Sequence, residues 1–130
     1  MKIAAFALLG LIGSPSLAAD GPHLIFDHGR IAGMSGAGDT CAEHDDPCRS
    51  YQVTGTVTRV SGDAAAPSSF DLKAADGKTY KENFDQDQTG DASLKKFFRW
   101  FRPGRRVVVT GTQTGAMGMA LVNTIRVAPQ

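Results

Sequence analysis

The chain is 130 residues long, which is enough for one hydrophobic core and too short for two. Hydrophobic residues make up 42% and charged residues 21%, close to the values of globular proteins, so a fully disordered or collagen-like chain is excluded. Lys and Arg total 14 against 13 Asp and Glu, a balance that argues against a strong general attraction to nucleic acid or acidic membranes.

The first 18 residues have the pattern of a secretion signal. Lys2 gives a positive start, an apolar run follows over 3–12, and the small residues Ser16 and Ala18 precede a cut after Ala18. We therefore predict that residues 1–18 are a signal peptide and that the mature protein is exported, to the periplasm or outside the cell. The apolar run is too short to span a bilayer and no later stretch is long enough, so we expect no transmembrane helix.

Residues 19–50 are rich in Gly, Asp, Ser and Pro, and they predict an extended arm with one short strand. The arm contains both cysteines of the chain, Cys41 and Cys48, and an isolated pair in an oxidising compartment usually forms a disulfide. A metal site is the alternative, because His44 and Asp46 lie between the cysteines and zinc prefers Cys and His ligands. Their spacing matches no common zinc module, so we expect the disulfide, no metal and no other cofactor.

Three strand patterns follow the arm. Alternation of apolar and polar residues predicts strands over 51–60, 70–74 and 79–84. Asp76 and Gly77 lie between the second and third strands and are typical of a hairpin turn. The sequence therefore predicts three consecutive strands, the last two of them joined by a tight turn.

A helix is predicted after the third strand. Asp91 can cap it by accepting a hydrogen bond from a free backbone N–H. Its apolar face has the spacing i, i+3, i+4, i+7 and consists of Leu94, Phe97, Phe98 and Phe101. Pro103 and Gly104 end the helix, and alternating patterns predict two further strands over 105–112 and 121–127.

The order of three strands, one helix and two strands is that of an OB-fold, a five-stranded Greek-key barrel. We therefore predict an all-β domain with one helix over residues 51–130, in which the apolar face of the helix plugs one end of the barrel. The segments that carry this pattern are YQVTGTVTRV (51–60), FDLKAADG (70–77), PGRRVVVTGT (103–112) and VNTIRV (122–127).

These four segments resemble the bacterial OB-fold family of small periplasmic proteins, over about residues 51–128. The motifs are generic: a G-x-V first strand, a D-G hairpin and a Gly-bounded, Val-rich fourth strand. The resemblance implies a non-enzymatic binding domain, and it carries no catalytic residues over to this chain. The arm and its two cysteines lie outside it.

The most distinctive candidate site is a basic stretch at the end of the helix. It comprises Lys95, Lys96, Arg99, Trp100, Arg102, Arg105 and Arg106. Local positive charge attracts an anionic ligand even when the net charge is near zero. Trp100 lies off the apolar stripe, so we expect it to be partly exposed beside Arg99, as stacking on a base or a sugar requires. The alternative is that these charges are only the solvated face of an amphipathic helix.

A second candidate surface is the outer face of the second and third strands, which OB-folds commonly use for binding. It offers Lys73, Lys78, Thr79 and Lys81, with Tyr80 nearby. Tyr80 shares a face with Phe84, so we expect it to point inward. We expect Asp71 and Glu82 to weaken the basic character of the outer face, so we expect no strong nucleic-acid interface there.

The sequence contains neither a G-x-S-x-G nor an H-E-x-x-H motif, and its three histidines all lie in the arm. We therefore expect an exported, non-catalytic binding or adaptor protein that recognises a protein partner or an anionic ligand. Two alternatives stay open. One is a metal-handling protein that uses the cluster of Cys41, His44, Asp46 and Cys48, and the other is a single-stranded nucleic-acid binder, which the near-zero net charge disfavours.

Overall fold

A computed structural model of the protein describes residues 21–36, 48–63, 65–114 and 119–129. The predicted signal peptide, together with Cys41, His44 and Asp46, lies outside the described residues, so the signal, the disulfide and the metal cluster stay predictions. No helix in the described ranges has the length and apolar character that crossing a membrane requires.

The described residues form seven strands, two short α-helices and one 3-10 helix. In chain order they are β1 (His23–Asp27), β2 (Arg30–Ser35), β3 (Cys48–Asp63), β4 (Ala66–Ala74), β5 (Thr79–Asn83), α1 (Gln86–Thr89), the 3-10 helix (Ala92–Leu94), α2 (Lys95–Trp100), β6 (Arg106–Thr114) and β7 (Met119–Val127). The protein is therefore mostly β, and its short helical segments lie between β5 and β6, where the sequence predicts one helix.

Five of the strands form a closed ring of pairings. β3 pairs antiparallel with both β4 and β6, β4 pairs with β5, and β6 pairs with β7. A parallel pairing of β5 with β7, at Asn83 and Leu121, completes the ring. β3 can serve two neighbours because it is 16 residues long, so its first half lies along β6 and its second half along β4.

β1 and β2 form a hairpin that extends the sheet beside β7. β2 pairs with β7 between Gly33 and Arg126 and between Ser35 and Thr124. The two residues of the hairpin turn, His28 and Gly29, have φ angles of 52° and 77°, and two successive positive φ values are typical of tight hairpin turns. Where the sequence predicts one short strand in the arm, the structure has two, because the His-Gly turn between them is not a common hairpin signal.

The core fills the ring beneath α2. The four residues of the predicted apolar face, Leu94, Phe97, Phe98 and Phe101, are each less than 5% exposed, which confirms the predicted helix face. The ring of Phe101 lies 4.8 Å from that of Phe70 and the ring of Phe98 lies 5.3 Å from that of Phe84, both edge-to-face. We call the end of the strand ring that α2 covers the closed end.

The cap predicted at Asp91 is also present. The Asp91 carboxylate accepts a hydrogen bond from the backbone N–H of Ser93, with Oδ1 2.8 Å from that nitrogen. The cap begins the 3-10 turn that leads directly into α2. It therefore sets the point at which the chain turns to bring the phenylalanines over the ring.

Candidate functional site

The predicted basic residues lie on α2, on the turn that follows it and at the start of β6. The six cationic side chains are exposed, because the opposite face of α2 is occupied by the buried phenylalanines. The helix therefore has the solvated face that its amphipathic pattern requires. What distinguishes the segment from an ordinary solvated face is the arrangement around Trp100.

Trp100 is half-buried, and its partial exposure agrees with the sequence prediction. Its ring packs on Phe97, with 5.6 Å between ring centroids. The guanidinium carbon of Arg105 lies 4.3 Å from the Trp100 ring centroid, and the Arg105 Nε donates a hydrogen bond of 3.1 Å to the Trp100 carbonyl oxygen. The cation that stacks on Trp100 is thus Arg105, where the sequence analysis placed Arg99 beside it.

Trp100 and Arg105 line a depression of about 680 Å³ that we call the tryptophan depression. Its lining residues are Asp27, Arg30, Ile31, Ala32, Trp100, Arg105 and Val127. Four of the protein's elements meet here, since β1 and β2 of the hairpin, α2 and β7 all contribute. The hairpin brings Arg30 to the same depression as Arg105, although the two arginines are distant in the sequence.

Arg99 and Arg102 line a different depression, of about 480 Å³, which we call the arginine depression. It lies against Val60, Gly62, Ala65, Phe98, Phe101 and Pro103. The Arg102 Nε donates a 3.1 Å hydrogen bond to the Arg99 carbonyl oxygen, which holds the Arg102 side chain against the end of α2.

The remaining members of the predicted set line neither depression. A guanidinium nitrogen of Arg106 donates to the Pro129 carbonyl oxygen at 3.2 Å, and Lys95 and Lys96 are exposed on α2. The structure therefore divides the seven predicted site residues into two separate pairs and three outlying cations.

The arginines of the tryptophan depression have no carboxylate partner within the described residues. Asp27, the acidic residue of the depression, contacts His28 instead, with 2.8 Å between Oδ1 and Nδ1. Arg30 and Arg105 therefore retain guanidinium N–H groups that an anionic ligand can use. Sequence reasoning missed Arg30, because the hairpin that positions it was not predicted.

A third concave region lies at the opposite end of the strand ring from α2, and we call it the open-end cleft. Its volume is about 380 Å³. It is lined by Arg49, Tyr51 and Val53 of β3, Thr79, Tyr80, Lys81, Glu82 and Asn83 of β5, Gln113 of β6 and Ala120 of β7. β6 connects the two ends, because it leaves α2 at Arg106 and reaches the cleft at Gln113.

Glu82 is the central polar group of the open-end cleft, and it is only 2% exposed. The Tyr51 hydroxyl donates a hydrogen bond to the Glu82 carboxylate. Burial raises the pKa of Glu82, and the hydrogen bond from Tyr51 opposes this rise because it favours the charged form. The pKa of Tyr51 is also raised, first by burial and then by the neighbouring carboxylate.

Gly111 makes room for this pair. A Cβ atom at Gly111 would lie 2.5 Å from the Tyr51 hydroxyl oxygen and 2.2 Å from the Leu121 carbonyl oxygen. The absence of a side chain at this position of β6 therefore lets the Tyr51 side chain lie across the inside of the ring.

The position of Glu82 corrects the sequence analysis, which placed it with Asp71 on the outer face of the strands. Successive residues of a strand point to opposite faces, so Glu82 must share the inward face of Tyr80 and Phe84. Tyr80 is half-buried, and its hydroxyl donates to the Asp76 carboxylate at 3.0 Å. The cations predicted for the outer face, Lys73, Lys78 and Lys81, are exposed together with Thr79, and Thr79 and Lys81 also line the cleft.

Within the described ranges, no group of three or more His, Cys, Asp or Glu side chains is arranged to hold a metal ion. Comparison with the models of known protein families, and with characterised proteins, finds no match for this chain. The function is therefore inferred from the geometry of the two depressions and the cleft.

Proposed function

We propose that this is an exported, non-catalytic binding protein with an OB-fold, and that it recognises an anionic ligand at the tryptophan depression. The fold assignment is supported by the pairing order β3-β4-β5-β7-β6, by the parallel contact between β5 and β7, and by a helix inserted between β5 and β6. Export is supported by the signal pattern of residues 1–18.

One observation supports the choice of this site. Arg30 of β2 and Arg105, which directly precedes β6, line the same depression as the half-exposed Trp100, and neither arginine is paired with a carboxylate in the described parts of the chain. Two guanidinium groups can donate charge-assisted hydrogen bonds to one carboxylate, sulfate or phosphate group. The exposed side chain of Val127 and the Trp100 ring offer an apolar surface beside them.

The chemistry of the depression favours an acidic carbohydrate. A sugar ring has an apolar face that packs on an aromatic side chain, and its carboxylate or sulfate substituent suits an arginine. Nucleic acid is a weaker candidate, because binding along a phosphate backbone uses many cations and the net charge of this chain is near zero. A protein partner with exposed acidic side chains would use the same two arginines.

The test is an amide-resolved NMR titration of the full chain with a short oligogalacturonate and, separately, with a short oligothymidylate. We expect saturable shifts of Arg30, Trp100, Arg105 and Val127 with the oligogalacturonate, and an affinity that falls as salt is added. The double variant Arg30→Gln/Arg105→Gln should weaken binding by about tenfold or more.

The matched control is Arg99→Gln/Arg102→Gln, which removes the same charge from the arginine depression. The control should bind the oligogalacturonate like the unmodified protein. Equal losses in the two double variants would contradict the site assignment, and tighter binding of the oligothymidylate would contradict the ligand class.

A further inference from the structure

The open-end cleft contains a buried carboxylate that no cation of the described chain neutralises. Glu82 accepts a hydrogen bond from Tyr51, and no ion pair involving Glu82 is present in the part of the chain that the structure describes. A carboxylate removed from water is costly unless a cation or several hydrogen-bond donors accompany it. The described structure supplies one donor, while the cleft leaves the carboxylate within reach of a small ligand.

The rim of the cleft has the opposite charge. Arg49 and Lys81 are exposed and line the cleft from β3 and β5. The Arg49 Nε donates a 2.8 Å hydrogen bond to the Gln113 side-chain oxygen, which anchors the guanidinium across the β3–β6 pair. The cleft thus combines an acidic floor with a basic rim.

We propose that the open-end cleft binds a small zwitterion of the amino-acid class, with its ammonium group on Glu82 and its carboxylate towards Arg49. The ammonium supplies the cation that Glu82 lacks, and a guanidinium is well matched to a carboxylate. The cleft volume of about 380 Å³ lies near the lower end of the range for small-molecule sites, which suits a ligand of this size.

A ligand with only one kind of charge matches only one of the two charged parts of the cleft. A carboxylic acid without an amine would bring a second negative charge towards Glu82, whereas a diamine would bring a second positive charge towards Arg49 and Lys81. Val53 and Ala120 add a small apolar wall, which can accept a short aliphatic side chain.

The pH dependence of binding has a definite sign. The titratable groups that line the cleft are Arg49 and Tyr51 on β3 and Tyr80, Lys81 and Glu82 on β5, while the lining residues from β6 and β7 do not titrate. The ammonium binds the charged form of Glu82, and burial raises the pKa above which that form predominates. Affinity should therefore rise as the pH is raised through the pKa of Glu82.

The experiment compares three probes of similar size against the full chain: L-alanine, ethylamine, which lacks the carboxylate, and propionate, which lacks the amine. Isothermal titration gives the affinities, and the side-chain carboxyl ¹³C resonance of Glu82 reports contact. We expect L-alanine to bind and move this resonance, ethylamine to bind about tenfold more weakly, and propionate to leave it unmoved. Propionate binding as tightly as L-alanine, or an unmoved Glu82 resonance with L-alanine, would overturn the proposal.

Two variants test the contacts of the two ends of the ligand separately. Glu82→Gln keeps the shape of the side chain and should weaken both L-alanine and ethylamine by about tenfold or more. Arg49→Gln is an exposed change that should reduce L-alanine affinity to the level of ethylamine and leave ethylamine unaffected. Its matched control, Arg59→Gln, removes an exposed arginine of the same strand that does not line the cleft, and it should change neither affinity.

Equal effects of Arg49→Gln and Arg59→Gln would overturn the placement of the ligand carboxylate on Arg49. Unchanged affinities in Glu82→Gln would overturn the placement of the ligand ammonium on Glu82. The tryptophan depression shares no lining residue with this cleft, so oligogalacturonate binding should be the same in all three variants. Failure of either proposal can therefore be recognised independently of the other.

Discussion

The two ends of the strand ring use the same strands and have opposite characters. At the closed end, Phe98 of α2 packs on Phe84 and Phe101, which follows α2, packs on Phe70, and the buried residues of α2 are the phenylalanines Phe97 and Phe98. At the open end, β3 and β5 bury Tyr51 and Glu82 against each other beside a cleft. The comparison shows that a helix over the ring decides which end is filled by core side chains and which end leaves the inside of the ring open to a ligand.

The ends also differ in what stabilises them. Aromatic rings packed edge-to-face need only complementary shape and removal from water. A buried carboxylate needs a partner for each of its oxygens, because an unsatisfied polar group in the interior is destabilising. The closed end is therefore complete without a ligand, whereas the open end gains from one.

The largest effect should come from removing a ring at the closed end. Phe97→Ala should lower the free energy of unfolding by about 3–5 kcal/mol, because Phe97 is fully buried and contacts Phe98, Trp100 and Phe101. Urea denaturation measures the loss. Lys96→Ala, its exposed neighbour on the same helix, should change stability by no more than about 0.5 kcal/mol, and a loss as large as that of Phe97→Ala would show that α2 does not cover the core as described.

A smaller effect, with a distinctive pH dependence, should come from the open end. Because burial raises the folded-state pKa of Glu82 above its usual 4.5, the folded protein holds this proton more tightly than the unfolded chain does. The contribution of Glu82 to stability is therefore full below that value and is lost as the pH rises through the folded-state pKa. Glu82→Gln should gain stability over the unmodified protein as the pH is raised from about 4 to about 7.

Tyr51→Phe should change the pH dependence of stability in the opposite direction from Glu82→Gln. It keeps Glu82 buried but removes the hydrogen bond that favours the charged carboxylate, so stability should fall more steeply with rising pH than in the unmodified protein. Denaturation curves at several pH values measure both variants. Parallel pH profiles for all three proteins would show that Glu82 has no coupling to folding.

The smallest of the three effects concerns how the closed end is assembled. Asp91→Ala removes the side chain that caps the turn into α2, and it should lower the midpoint of thermal unfolding by about 4 °C. Asp91→Ser retains a capping oxygen and should restore most of the loss. If serine were no better than alanine, the cap would have no part in placing α2.

Much of the closed end could be predicted from sequence because its signals are local. The spacing of Leu94, Phe97, Phe98 and Phe101 defines a helix face within eight residues, and Asp91 marks where the helix starts. All four side chains are buried, and the cap is formed. The alternation within β4 and β5 also located those two strands, although β4 begins earlier than predicted, at Ala66.

The open end and the hairpin were missed for a different physical reason. Hydropathy places a glutamate outside, and what reverses this for Glu82 is a hydroxyl from Tyr51, 31 residues away in the chain. Arg30 joins Trp100 only because β2 pairs with β7, a contact that spans most of the protein. Non-local partners of this kind leave no periodic signal, so the strand parity of Tyr80 and Phe84 was the one available clue to Glu82.

The position of β7 has a consequence for the order in which the protein folds. β7 pairs with β2, β5 and β6, and it follows all three in the chain. During synthesis the earlier strands therefore emerge without the neighbour that closes the ring, and such long-range pairings form slowly. A nascent chain with this topology stays unclosed until β7 is made.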